Sequence, residues 1–137
     1  MGRARKVPVE DFLQEALHVD GHPVVVVFRL KKRYQKLLPH ALGRIRALEH
    51  KPYDNLFQAG NDAYYCSELV QQTFLDYNLQ PLFAPIAMNF LDPHTGALLP
   101  YWKEHFDKYA LPVPQGALGS NPVNLSQSAL LKQVYVY

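Results

Sequence analysis

The alternation of apolar and polar positions changes period several times along the chain, and each change marks an element. Residues 9–17 repeat at helical spacing, with Phe12, Leu13 and Ala16 on one side and acids in the first turn. Asp20-Gly21-His22-Pro23 reads as a turn. Residues 24–30 (VVVVFRL) are almost continuously apolar and mostly β-branched, which predicts a central strand buried on both faces. Pro39 suits the first turn of a second helix running to about residue 50, with Leu42, Ile45 and Leu48 at helical spacing. A loop over residues 55–62 follows, with Gly60-Asn61-Asp62 as its turn signal.

The clearest periodicity comes next. Cys66, Leu69, Val70, Thr73, Phe74 and Tyr77 fall on one stripe of a helix over residues 66–77. Ser67, Glu68, Gln71, Gln72 and Asp76 lie largely on the other side. The pattern predicts the first set as the buried face. Residues 82–90 hold one or two short strands interrupted by Pro85, residues 92–96 a turn, and residues 101–109 a brief aromatic helix with Trp102, Phe106 and Tyr109 in the core. Residues 111–128, rich in Pro, Gly, Ser and Asn, are expected to wrap the surface irregularly, and residues 133–137 alternate as a last strand. This inventory leaves the apolar strand short of neighbours. Either late segments supply them or strands encoded before residue 1 do; the expectation is the latter, making residues 1–137 a single, incomplete domain. Its unpaired edges would then favour self-association.

Composition narrows the function classes. Hydrophobic residues make up 48% and charged residues 19%, so an ordered core is the expectation. A net charge of +2 is too small to argue for nucleic-acid binding, and most of the positive excess lies in Arg3-Ala4-Arg5-Lys6 and Lys31-Lys32-Arg33. The single cysteine excludes an intramolecular disulfide and a paired-cysteine zinc site. No metal or other cofactor is expected. The longest apolar run, residues 24–28, is too short to span a bilayer, and no signal peptide is legible.

Cys66 carries the candidate chemistry. A thiol at a helix start meets the positive end of the backbone dipole and amide N–H groups without helical acceptors, and both favour the thiolate. The same position also heads the apolar stripe, where a cysteine serves as a small hydrophobe. Position does not choose between the two. A nucleophile also needs a base, and none of the six histidines lies at a spacing that guarantees contact. Asp54 and Glu68 could orient a base or a substrate, or simply cap a loop and complement the helix dipole. Tyr64 and Tyr65 could line a cleft or pack as aromatics.

The string Tyr65-Cys66-Ser67-Glu68-Leu69-Val70, with Pro52-Tyr53-Asp54 upstream and Asn121-Pro122, Ser126 and Ser128 downstream, resembles the YiiX/YebB-like cysteine hydrolases. These form a permuted branch of the NlpC-type, papain-like superfamily, and the similarity runs from about residue 9 to the C-terminus. The resemblance implies an α+β fold with a small antiparallel sheet packed against helices, including the one starting at Cys66. It places Cys66 at the nucleophile position and Tyr53, Asp54, Tyr65 and Glu68 at recurring motif positions without assigned roles. It further implies hydrolysis or acyl transfer at amide or ester bonds through a Cys66 thioester. The implied substrate is a cell-wall peptide or a lipid-linked molecule, in or near the cell envelope. In this branch the catalytic histidine precedes the cysteine on an early strand, which matches nothing ahead of Cys66 here; His22-Pro23 is a poor substitute. The base is therefore expected upstream of residue 1, and this segment alone is expected to be inactive. The alternative is a binding module that keeps the cleft for a peptide or lipid without catalysis.

Overall fold

The computed structural model describes residues 2–137. In chain order its elements are α1 (Val9–Glu15), β1 (Val26–Leu30), a 3-10 turn (Lys32–Leu37), α2 (Leu38–Ala47), α3 (Cys66–Thr73), β2 (Ile86–Ala87), α4 (Pro100–Asp107), β3 (Leu118–Gly119), α5 (Pro122–Ser126) and β4 (Leu131–Val136). Two antiparallel ladders form, β1 with β4 and β2 with β3. In the first, Leu30 faces Leu131 and Val26 faces Val136, and the register slips between Val27 and Phe28. The final alternating segment thus supplies β1 with the neighbour its apolar run requires. One pair forms from opposite ends of the chain.

The expectation of a strand buried on both faces is corrected. Only Leu30 of β1 is fully buried, and Val24 and Val26 are exposed. The cause is topological: among the described residues β1 has a single partner, so one of its edges and part of one face meet solvent.

Two small cores replace one large one. Leu30, Phe83 and Leu125 gather Tyr34, Val70, Phe74 and Leu131 around the β1–β4 ladder. Met88, Phe90 and Phe106 gather Phe57, Trp102 and Leu98 around α4. Phe90 meets both Trp102 and Phe106 edge-on, a geometry aromatic quadrupoles favour. Tyr109 is corrected: it lies beyond the end of α4 and is exposed, whereas Phe106 is almost fully enclosed. Within the stretch expected to be irregular, Asn121 caps α5 by accepting from the Asn124 amide at 2.7 Å, and Pro122 takes the first helical position.

The largest departure concerns α3. It ends at Thr73 rather than running to Tyr77, and its buried residues are Ser67, Glu68, Gln71 and Thr73. Leu69, Val70 and Phe74 are only half-buried, and Cys66 and Tyr77 are exposed. The polar side faces inward because its side chains find partners there: Gln71 donates to the Phe83 carbonyl at 2.9 Å, while Thr73, on the stripe expected to be buried, donates to the Leu69 carbonyl at 2.7 Å. Glu68 accepts from the Tyr65 amide. A buried polar group with a partner costs little, so periodicity alone misassigns this face.

The N-terminal basic tail is also structured. Ala4 donates to the Lys51 carbonyl at 2.9 Å, His50 donates to Ala4 at 2.8 Å, and Tyr53 donates to Gly2 at 2.9 Å. Residues 2–4 therefore lie as an extended ribbon along residues 50–53.

Candidate active site

Cys66 opens α3, and its thiol is exposed. Tyr65 precedes it in extended conformation, φ −82° and ψ 166°, as the helix N-cap requires. Three contacts hold this junction. The Tyr65 ring is buried beside Phe57, with ring centres 5.0 Å apart. Its hydroxyl accepts from the Ser120 amide at 3.0 Å, tying the start of α3 to the end of β3. The Glu68 carboxylate reaches back to the Tyr65 amide at 3.4 Å. Gly119 is the residue that permits this approach, since an added Cβ would stand 2.6 Å from both the Tyr65 hydroxyl and the Met88 sulfur.

Asp54 is almost fully buried and accepts from two amides, Leu56 at 2.8 Å and Gln58 at 2.7 Å. It closes the loop that carries Phe57 against Tyr65. That local work accounts for both carboxylate oxygens. Tyr53, the residue before it, is partly exposed and lies against the amide and thiol of Cys66. Burial raises its hydroxyl above the ordinary phenol value, the charges of Cys66 and Asp54 add to this, and the Cys66 amide opposes it. The hydroxyl therefore stays protonated through the physiological range and can donate.

Glu68 is the most perturbed group of the site. Burial pushes its carboxyl up to about 7, the Tyr65 amide pulls it down, and the charge on Asp54 raises it. Glu68 thus changes charge near neutral pH, two residues after the thiol.

The structure brings Tyr53, Asp54, Tyr65, Cys66 and Glu68 to one end of α3. His105 bonds to the Asn55 carbonyl at 2.7 Å and packs among Tyr101, Trp102 and Phe106, so it pins α4 to the Asp54 loop. His40 stacks edge-on with Tyr77, and His18 faces Asp20 at 3.4 Å. Among the described residues no hydrogen bond links a histidine ring to Cys66, and no cluster of potential metal ligands occurs. Sequence reasoning missed Ser120 and Gly119, whose role appears only when β3 arrives beside Tyr65. No helix among the described residues is long and apolar enough to cross a membrane.

Helices mixed with small antiparallel ladders, and a free thiol at a helix start, define an α+β architecture consistent with the papain-like class. The profile of the family described as "Permuted papain-like amidase enzyme, YaeF/YiiX, C92 family" matches residues 2–135, and the chain belongs to that family. No curated protein and no solved structure matches the chain.

Proposed function

We propose that the chain carries the nucleophile half of a cysteine hydrolase acting on amide or ester bonds, with Cys66 as the attacking group. The observation that carries this reading is the exposed thiol at the first position of α3, in a family of permuted papain-like amidases. The Cys66 sulfur attacks the substrate carbonyl carbon, and the oxyanion is met by the first-turn amides of α3, which lack helical acceptors. The C–N or C–O bond then breaks, the leaving group takes a proton from the base, and a thioester to Cys66 remains. Water, giving its proton to the same base, hydrolyses the thioester to a carboxylic acid.

In this reading Tyr53 donates its hydroxyl to the carbonyl oxygen, while Tyr65, Asp54 and Glu68 are positioning residues that fix the junction. The base is a histidine that takes the thiol proton and returns it to the leaving group. The substrate is a peptide or lipid-type amide or ester of the cell envelope. Intact-mass analysis with an activated acyl ester tests the proposal. A chain extended upstream should gain one acyl group, lose it with time, and gain none as Cys66→Ala. An adduct that persists in Cys66→Ala would refute the assignment.

A binding module without catalysis is the second reading, favoured because among the described residues His18, His40 and His105 have other partners and none is hydrogen-bonded to the thiol. Turnover by the extended chain that vanishes in Cys66→Ala would remove it.

A further inference from the structure

One aromatic stripe takes no part in the chemistry at Cys66. Tyr101, His105 and Tyr109 recur every fourth residue along α4 and the turn that ends it, so their rings are neighbours on one side. The Tyr101 and His105 ring centres lie 6.2 Å apart with planes meeting at 20°, and those of His105 and Tyr109 lie 5.6 Å apart. Phe106 and Trp102 supply the core side of the helix. Tyr101 and Tyr109 instead meet solvent, 66% and 47% exposed. The stripe is joined to the candidate active site through His105, whose Nε2–H donates to the Asn55 carbonyl at 2.7 Å. In the neutral ring this leaves Nδ1 to accept. Asn55 is two residues, at most about 7 Å of chain, from Tyr53, which lies against Cys66.

We infer that this stripe is a saccharide platform, on which a neutral, β-linked pyranose chain lies along Tyr101, His105 and Tyr109. A pyranose of this kind has flat C–H faces and a rim of hydroxyls. The aromatic rings meet the faces, and the tyrosine hydroxyls and His105 Nδ1 meet the rim. Successive rings are spaced at about the pitch of the helix, ~5.4 Å, comparable to the advance of an extended pyranose chain per sugar. A phosphate-rich polymer or an anionic membrane is disfavoured by charge. Lys103 is already paired with Asp107 at 2.6 Å, and the Glu104 carboxylate neighbours Tyr101 and His105 on the helix surface. An extended peptide is disfavoured because α4 keeps its backbone groups within the helix and presents no strand edge. The inference names the glycan part of an envelope substrate and rests on the hydrolase reading for its catalytic meaning alone; binding does not depend on it.

Trp102 is the sole tryptophan of the chain and lies 4.9 Å from the Tyr101 ring, so its fluorescence reports occupancy of the platform directly. Titration of the chain as given with chitotetraose, a β-linked tetrasaccharide, should give a saturable change. Maltotetraose, α-linked and coiled, should bind at least fivefold more weakly. Tyr101→Leu and Tyr109→Leu should each weaken chitotetraose about fivefold, the worth of one aromatic face, whereas Tyr101→Phe should stay within about twofold of the parent. Both positions are exposed, so the fold should survive, and unchanged circular dichroism and melting check that it does. Cys66→Ala should bind as the parent does, so a failed hydrolase reading leaves this result standing. The inference is overturned by absent or non-saturable binding, by equal affinity for the two tetrasaccharides, or by affinities indifferent to both leucine substitutions. It is equally overturned if phosphatidylglycerol vesicles give the saturable change and chitotetraose does not, or if Tyr101→Leu dissolves a dimer whose formation chitotetraose does not oppose.

Discussion

Replacing Glu68 by glutamine isolates the energetic tension at the start of α3. Glu68 is 8% exposed, and its carboxyl titrates at about 7 rather than at 4.5. A raised carboxyl means the folded chain holds more protons than the unfolded chain between those two values, so stability falls as pH rises across that window. Each pH unit of displacement is worth about 1.4 kcal/mol, which sets a ceiling of about 3 kcal/mol on the loss above pH 7. Access of water at the edge of the site brings the expected figure to about 2 kcal/mol. Glutamine keeps an oxygen for the Tyr65 amide but never ionises. Glu68→Gln and the parent should therefore melt together near pH 4, and the variant should melt higher at pH 8. For a chain of this size about 2 kcal/mol corresponds to about 6 °C. Urea melts of both proteins across pH 4 to 8 give the difference directly, and titrations common to both cancel. A difference that stays constant with pH, or a parent that gains on the variant toward pH 8, would refute the claim that burial governs Glu68.

Three further outcomes follow from the same geometry. Asp54→Ala should cost about 3 kcal/mol in chemical denaturation, because two amides lose a charged acceptor, while Asp54→Asn should cost less; equal, negligible losses would contradict the loop-closing role. Gly119→Ala should destabilise by about 2 kcal/mol and loosen the Tyr65 junction, read as increased tyrosine fluorescence quenching by acrylamide, because the new methyl must displace Met88 or the Tyr65 hydroxyl. The open edge of β1 and the exposed Val26, Val134 and Val136 should produce concentration-dependent association in sedimentation velocity, lost when Val26 is replaced by lysine. A monomer at all concentrations would rule that association out.

Local signals were readable directly. Pro39 in the first turn announces α2, and the change from loop to helix at Tyr65-Cys66 fixes the start of α3, because capping and backbone sterics act within a few residues. The motif around Cys66 likewise carried the family, and the profile match agrees. Only tertiary structure decided the rest. That β1 pairs with β4, about a hundred residues away, cannot be read from either segment alone, since any apolar strand offers the same ladder. Nor could periodicity reveal that α3 turns its polar side inward, because that choice depends on Gln71 meeting the Phe83 carbonyl across the fold. The same holds for Tyr65 and Ser120: a hydroxyl and an amide 55 positions apart become partners only when β3 is brought beside the helix start.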